Sequence, residues 1–254
     1  MNHKIIGMIP ARYNSTRFPG KLLIPILNQS LLQRTYENAQ LAKSLHNIYV
    51  ATYDDCIEEH VKSFGGRIIR THSNCQDGTD CVAAALQERP ELMNADVIMI
   101  IQGDEPCISP QCINAVAMAL INDPLASMAT AVIRLKTEEE ALSSAVVKCV
   151  MDKHQNALYF SRQLIPSSKK QKFNPDFPYY RHIGIYAFRP AFLLEFRKLS
   201  ATPLQLEEDL EQLKVLEHGY RIKVAETTTF SIGVDLPEDI QKVEQWLCKQ
   251  NTFL

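Results

Sequence analysis

The sequence predicts an α/β protein with a mostly parallel central sheet flanked by helices. Strand-like and helix-like segments alternate regularly through the first half of the chain. The segment 96–101 (DVIMII) carries no polar residue after Asp96, the pattern of a strand covered on both faces. Polar, charged turns follow the ends of these strands, where an open α/β sheet binds its ligands.

Residues 4–9 read as the first strand and 30–44 as a helix with Ser30 as its N-cap. A second strand at 47–52 leads into a helix from 54 to about 64, stopped by Gly65-Gly66, and a third strand occupies 67–70. A helix at 77–88, the apolar strand 96–101 and a helix opened by Ser109-Pro110 complete the half. Repeated β-α units of this length pair in parallel through right-handed crossovers.

The second half is mixed. Strand patterns at 127–135, 146–151 and 157–161 have no long helices between them, and 167–178 (SSKKQKFNPDFP) reads as a mobile loop. A strand at 182–188 follows, then helices near 189–199 and 204–218, the latter closed by Gly219. A strand at 221–225 and a helix at 236–249 end the pattern. With no repeat and no linker, 1–254 is expected to form one domain with an antiparallel excursion.

Composition narrows the function. Apolar residues make up 46% and the net charge is −2, so no global basic field draws a nucleic acid or an anionic membrane. Nothing approaches the ~20 apolar residues of a membrane span. The seven cysteines contain no CxxC pair, which points to reduced thiols and a cytoplasmic protein.

Five segments carry candidate chemistry. The turn 9–21 (IPARYNSTRFPGK) places Arg12, Arg17 and Lys21 among small polar residues after the first strand, a set suited to a polyphosphate. It matches neither the Walker A nor the GxGxxG pattern. Gln102-Gly103-Asp104-Glu105-Pro106 follows the apolar strand, and a carboxylate there is stabilised by a divalent cation bridging it to phosphates. Asp235, in Gly233-Val234-Asp235, reads as a helix cap unless the fold brings it near Asp104. In Tyr180 to Tyr186, alternation puts His182, Gly184 and Tyr186 on one face and Arg181, Ile183 and Ile185 on the other. Glu208 and Glu211 stand at i, i+3 on an expected helix, ordinarily a solvated face, and Arg162 ends a strand.

These segments, with DGTD (77–80), ALYFSR (157–162), YRHIGIYAF (180–188), LEQLKVL (210–216) and IGVDLPEDI (232–240), resemble the 3-deoxy-manno-octulosonate cytidylyltransferase (CMP-Kdo synthetase) family in order and spacing. The resemblance runs from residue 4 to about 247. It implies a Rossmann-like nucleotidyltransferase fold with a small antiparallel dimerisation subdomain, roughly 135–190, and a homodimer. It also implies transfer of CMP from CTP to the acid sugar Kdo with Mg2+, releasing pyrophosphate. Carried over by position, Ala11, Arg12, Arg17, Lys21, Gln76, Gly78, Thr79 and Asp104 would bind the nucleotide. Asp104 and Asp235 would hold the metal, and Gln102, Arg162, His182, Tyr186, Glu211 and Gln212 would surround the sugar. Arg12, Lys21, Asp104 and Asp235 would carry the catalysis, and Arg162 would meet the sugar carboxylate. The chain departs from the family at Cys81, where an arginine is usual, at Gln205 and at Lys214. Rival readings are a cytidylyltransferase for a sialic acid or an amino variant of Kdo, a sugar-1-phosphate nucleotidyltransferase, and a nucleotide-binding regulator without turnover.

Overall fold

The computed structural model describes residues 3–14, 18–71, 75, 77–169, 172–229 and 231–251. Strand β1 (Ile5–Pro10) leads through a short 3-10 turn at Lys21–Leu23 into a small hairpin, β2 (Pro25–Ile26) and β3 (Gln29–Ser30). Helix α1 (Leu31–Gln40) starts where the Ser30 hydroxyl accepts from the Gln33 N–H, as its sequence predicts. It ends at Gln40, four residues short of the expected boundary, and the chain turns into β4 (Leu45–Thr52). Helix α2 (Asp55–Ser63), strand β5 (Ile68–Arg70), helix α3 (Gly78–Glu88) and strand β6 (Val97–Ile101) continue the alternation. Asp77 caps α3 by accepting from the Asp80 N–H.

Helix α4 (Pro110–Asn122) opens at Ser109 with a first-turn proline and is followed by β7 (Met128–Arg134). Then come α5 (Glu138–Leu142), the hairpin β8 (Lys148–Met151) and β9 (Ala157–Ser161), the long β10 (Tyr180–Phe188) and α6 (Pro190–Phe196). The helix expected over 204–218 is two helices, α7 (Pro203–Glu208) and α8 (Glu211–Glu217). Asp209 adopts a left-handed conformation (φ 52°, ψ 52°) and breaks the run, a conformation Asp tolerates better than most residues. Strand β11 (Ile222–Thr227) and α9 (Pro237–Asn251) complete the described chain.

The main sheet runs β11-β7-β10-β6-β1-β4-β5. β1 is parallel to β4 and β6, β4 to β5, and β11 to β7, whereas β10 is antiparallel to both neighbours. β8 pairs antiparallel with β10 and with β9, so the antiparallel excursion grows from the same sheet. Helices cover both faces. On β6, Val97, Met99 and Ile101 join the core that holds α1 and α4, while Ile98 and Ile100 join the one that holds α3 and α6. That two-sided burial explains the apolar run, and each such side chain stabilises the fold by about 1.5–3 kcal/mol.

Candidate active site

The β1 strand delivers Ala11 and Arg12 to the crevice beyond the sheet, with the Ala11 N–H donating to Ala51 O at 2.9 Å. The turn closes through Gly20, whose φ of 71° suits glycine and whose N–H donates to Tyr13 O at 2.8 Å. This orients Lys21, only 8% exposed, so that its ammonium donates to Asp104 Oδ2 at 2.6 Å and to Val234 O at 2.8 Å. The sequence loop and the carboxylate turn thus meet across 83 residues. Gly103 permits the approach, since a Cβ there would stand 3.3 Å from Pro10 O.

The same ammonium ties in the third segment. The Val234 N–H donates to Asp104 O at 2.9 Å, which sets Asp235 beside the Asp104 turn. Asp239, rather than Asp235, receives the free N–H groups at the start of α9, those of Asp235 (3.1 Å) and Leu236 (3.0 Å). The capping task that made Asp235 unremarkable in sequence therefore falls to another residue. Glu105 lies behind, accepting from Ser231 Oγ at 2.6 Å. Burial pushes its carboxyl up to about 7, opposed by the Ser231 bond and aided by the Asp104 charge.

Ala11, Arg12, Lys21, Asp77, Gly78, Gln102 and Asp104 line one cleft. Arg17 and Gln76, expected at the nucleotide, lie outside the described residues. Gly78 opens α3 against β1, where a Cβ would meet Pro10 Cγ at 3.1 Å. Helix α3 points its N-terminus at this cleft, a polarity that favours an anion.

A second cleft shares Gly78 and Gln102 with the first and holds Thr79, Arg162, His182, Gly184, Tyr186, Glu211 and Gln212. Every residue expected at the sugar is brought here. A Cβ on Gly184 would meet nothing within 4 Å, so the strand leaves open room as its pattern suggested. His182 Nε2 lies 2.8 Å from Thr130 Oγ1, and that hydroxyl donates to Ile185 O at 2.9 Å. The hydroxyl thus stands between the ring and the β10 backbone, and the direction of its bond to Nε2 follows the ring's tautomer. Burial, reinforced by the Arg181 charge, lowers the imidazole to about 3, so it is neutral at pH 7. The Tyr186 hydroxyl donates to Gln212 Oε1 at 3.4 Å, and Gln212 Nε2 is buried with no partner among the described residues. An orphan donor of that kind in a cleft wall fits a ligand acceptor.

Glu208 and Glu211 do not share the solvated face expected of them. The break at Asp209 sends Glu208 to Ser161 Oγ (2.6 Å) and the Arg162 N–H (2.8 Å), and Glu211 to Thr79 Oγ1 (2.7 Å). Burial and the neighbouring Asp77 carboxyl push Glu211 up to about 8. Arg162 lines the cleft with its guanidinium turned to backbone: Nε to Glu208 O (2.8 Å), with further contacts to Asp209 O (3.3 Å) and Ser144 O (3.4 Å).

Two residues escaped the sequence reading. Lys148 is fully buried, its ammonium donating to Ser143 O (2.8 Å), Val146 O (2.6 Å) and Arg162 O (2.5 Å) beneath the second cleft. It looked like one polar break in a strand pattern. Arg181, assigned by alternation to the opposite face from His182, lines the cleft as well.

A cytidylyltransferase family model matches residues 6–223. The 3-deoxy-manno-octulosonate cytidylyltransferase of Protochlamydia amoebophila (strain UWE25) is 58% identical over the whole chain and 98% of its own length. This chain belongs to the 3-deoxy-manno-octulosonate cytidylyltransferase family. The Arabidopsis thaliana family member, named as mitochondrial, is 46% identical over 98% of this chain and 84% of its own. A solved structure of CMP:2-keto-3-deoxy-manno-octonic acid synthetase complexed with CTP superposes with a TM-score of 0.89 at 33% identity, covering 97% of this chain and 99% of that one. No helix among the described residues is long and apolar enough to cross a membrane, and all seven cysteines are free thiols.

Proposed function

We propose that this chain transfers CMP from CTP to the anomeric hydroxyl of Kdo, releasing pyrophosphate. One observation carries the reading beyond family membership: a cleft with Arg12, Lys21 and Asp104 shares the wall of Gly78 and Gln102 with a cleft built around His182, Tyr186, Glu211 and Gln212. A triphosphate in the first and a polyol acid in the second would meet at that wall.

Arg12 and Lys21, with Arg17, hold the phosphates, and Ala11, Gly78 and Gln76 border the nucleoside, whereas Thr79, expected there, lines the second cleft and donates to Glu211. Gln102, Arg162, His182, Tyr186, Glu211 and Gln212 orient the sugar. The sugar oxygen bonds to the α-phosphorus as the bond to the β-phosphate oxygen breaks, and the hydroxyl proton passes to solvent. Fixed cations neutralising charge on the leaving pyrophosphate account for most of the acceleration.

Asp104 and Asp235 offer hard carboxylate oxygens on adjoining turns, a donor set that fits Mg2+. Two protein carboxylates would leave the remaining positions of an octahedral ion to phosphate and water. When bound, Mg2+ would supply Lewis-acid stabilisation of phosphate charge. We also place the enzyme in the cytoplasm as a homodimer, with the exposed Leu158 and Phe177 of the antiparallel excursion as the contact face.

The test is pyrophosphate release with Mg2+, CTP and Kdo, beside a sialic acid, an amino variant of Kdo, and ATP, GTP and UTP. Release with CTP and Kdo alone is expected. Release only with another acid sugar moves the error to the second cleft, and binding of CTP without turnover on any sugar favours a regulator.

A further inference from the structure

Two thiols meet in the wall of the first cleft. Cys75 and Cys81 both line it, beside Tyr53, Asp77 and Gly78, and both are buried, with 8% and 4% exposure. The end of β4 places them from two sides. Cys81, on α3, donates its thiol to Ala51 O at 3.5 Å. The next carbonyl along β4, that of Thr52, accepts from the Thr71 N–H at 2.9 Å, and the Thr71 hydroxyl stands 3.9 Å from Cys75 Sγ. The two side chains so placed also bond to each other, thiol to thiol.

A thiol pair in a poorly hydrated wall selects its ligand by charge. The bond to Cys75, and after it burial, raise the Cys81 thiol above its ordinary value, so it keeps its proton at pH 7. A bare cation would require thiolates in a place that resists charge. A neutral, soft electrophile that bonds both sulfurs at once, and whose own leaving groups remove the protons, has no such requirement. Trivalent arsenic has this chemistry, since two sulfurs and one further group complete its valence.

We propose that Cys75 and Cys81 form a chelating dithiol site for trivalent arsenicals, and that filling it closes the first cleft to nucleotide. For an arsenical RAs(OH)2, the hydrated form of an arsine oxide, two As–O bonds break and two As–S bonds form. The thiol protons leave on the hydroxyls as two waters, and arsenic stays trivalent, so no oxidant or reductant takes part. The closure rests on the nucleotide site proposed above; the chelation does not.

The test is binding of phenylarsine oxide to the full chain, read by intact mass and peptide mapping, with Mg-CTP affinity measured before and after. Wild type, Cys75→Ala, Cys81→Ala and the double variant are compared, with the serine variants used if an alanine variant fails a thermal melt. Wild type should take one phenylarsenic group across Cys75 and Cys81, and a dithiol should remove it more readily than a monothiol. Either single substitution should weaken binding at least about 10²-fold, because the second As–S bond is intramolecular only when both sulfurs are present. Equal affinity in wild type and a single variant overturns the site, as does attachment mapped to any other cysteine. Arsenical bound at the pair with Mg-CTP affinity unchanged overturns the closure. Wild type that binds no CTP before treatment would instead overturn the underlying function, and the adduct would still decide the chelation.

Discussion

The two clefts are built from the same sheet by different means. The nucleotide side uses the C-terminal ends of parallel strands β1 and β6, and each contributes a short contiguous turn, 9–21 and 102–106. Its charges are paired at the cleft edge, with Lys21 against Asp104 at 2.6 Å. The sugar side gathers single residues from β9, β10, α3 and α8 around a strand antiparallel to its neighbours. There burial keeps the imidazole of His182 neutral and, with the Asp77 carboxyl, pushes the Glu211 carboxyl up, so these two groups act through hydrogen bonds rather than full charges. Parallel strands end together and concentrate chemistry in local loops, whereas an antiparallel insertion recruits its residues one at a time.

The first way to break this contrast is on the charged side. Asp104→Ala and Asp235→Ala are each expected to lower kcat at saturating Mg2+ by at least about 10²-fold. Steady-state pyrophosphate release with a thermal melt would check this, and a folded variant at near-normal rate would remove that residue from the metal site. On the other side, Lys148→Met leaves three carbonyls without their donor and should cost about 3 kcal/mol of stability. Because those carbonyls lie under the sugar cleft, the KM for Kdo should rise while Mg-CTP affinity holds. Urea unfolding and the two substrate titrations together test it, and equal damage to both substrates would make Lys148 a general stabiliser.

That division also explains what the sequence made legible. The parallel strands, the N-caps at Ser30 and Ser109, and the two phosphate-side turns depend on neighbours a few residues away, which periodicity and capping rules describe. The sugar residues could be named through family resemblance, but their arrangement could not be derived. Periodicity gave one continuous helix over 204–218, and only the chain reversal at Asp209 separates Glu208 from Glu211. Strict alternation likewise hid Arg181, whose register lies beside the irregularity between Ile183 and Tyr186. Lys148 gave no signal because a buried ammonium satisfied by carbonyls looks, in sequence, like an edge-strand lysine.

The buried, neutral imidazole of His182 has a pH signature. Folded His182 titrates at about 3 against an ordinary 6.5, so below pH 6.5 the unfolded chain binds the extra proton and folding weakens as pH falls. Between pH 7 and pH 5 this group should remove about 2 kcal/mol. Urea midpoints at the two pH values for wild type and His182→Gln measure it. A wild-type loss that persists in full in the variant would assign the acid sensitivity elsewhere.

The smallest effect probes the helix break itself. Asp209 is exposed, and its carboxylate lies 3.9 Å from the Arg162 guanidinium, so the ion pair adds little in water. Its left-handed backbone dominates. Asp209→Gly should keep the break and shift stability by no more than about 1 kcal/mol, with sugar KM unchanged. Asp209→Ala puts a helix-forming side chain in a conformation it disfavours by about 1 kcal/mol, and fusing α7 to α8 would relieve that strain. Fusion would carry Glu211 away from Thr79. The alanine variant should therefore lose sugar affinity while the glycine variant keeps it. Equal sugar KM values for the two would mean that tertiary packing, not the local backbone of Asp209, holds Glu211 in the cleft.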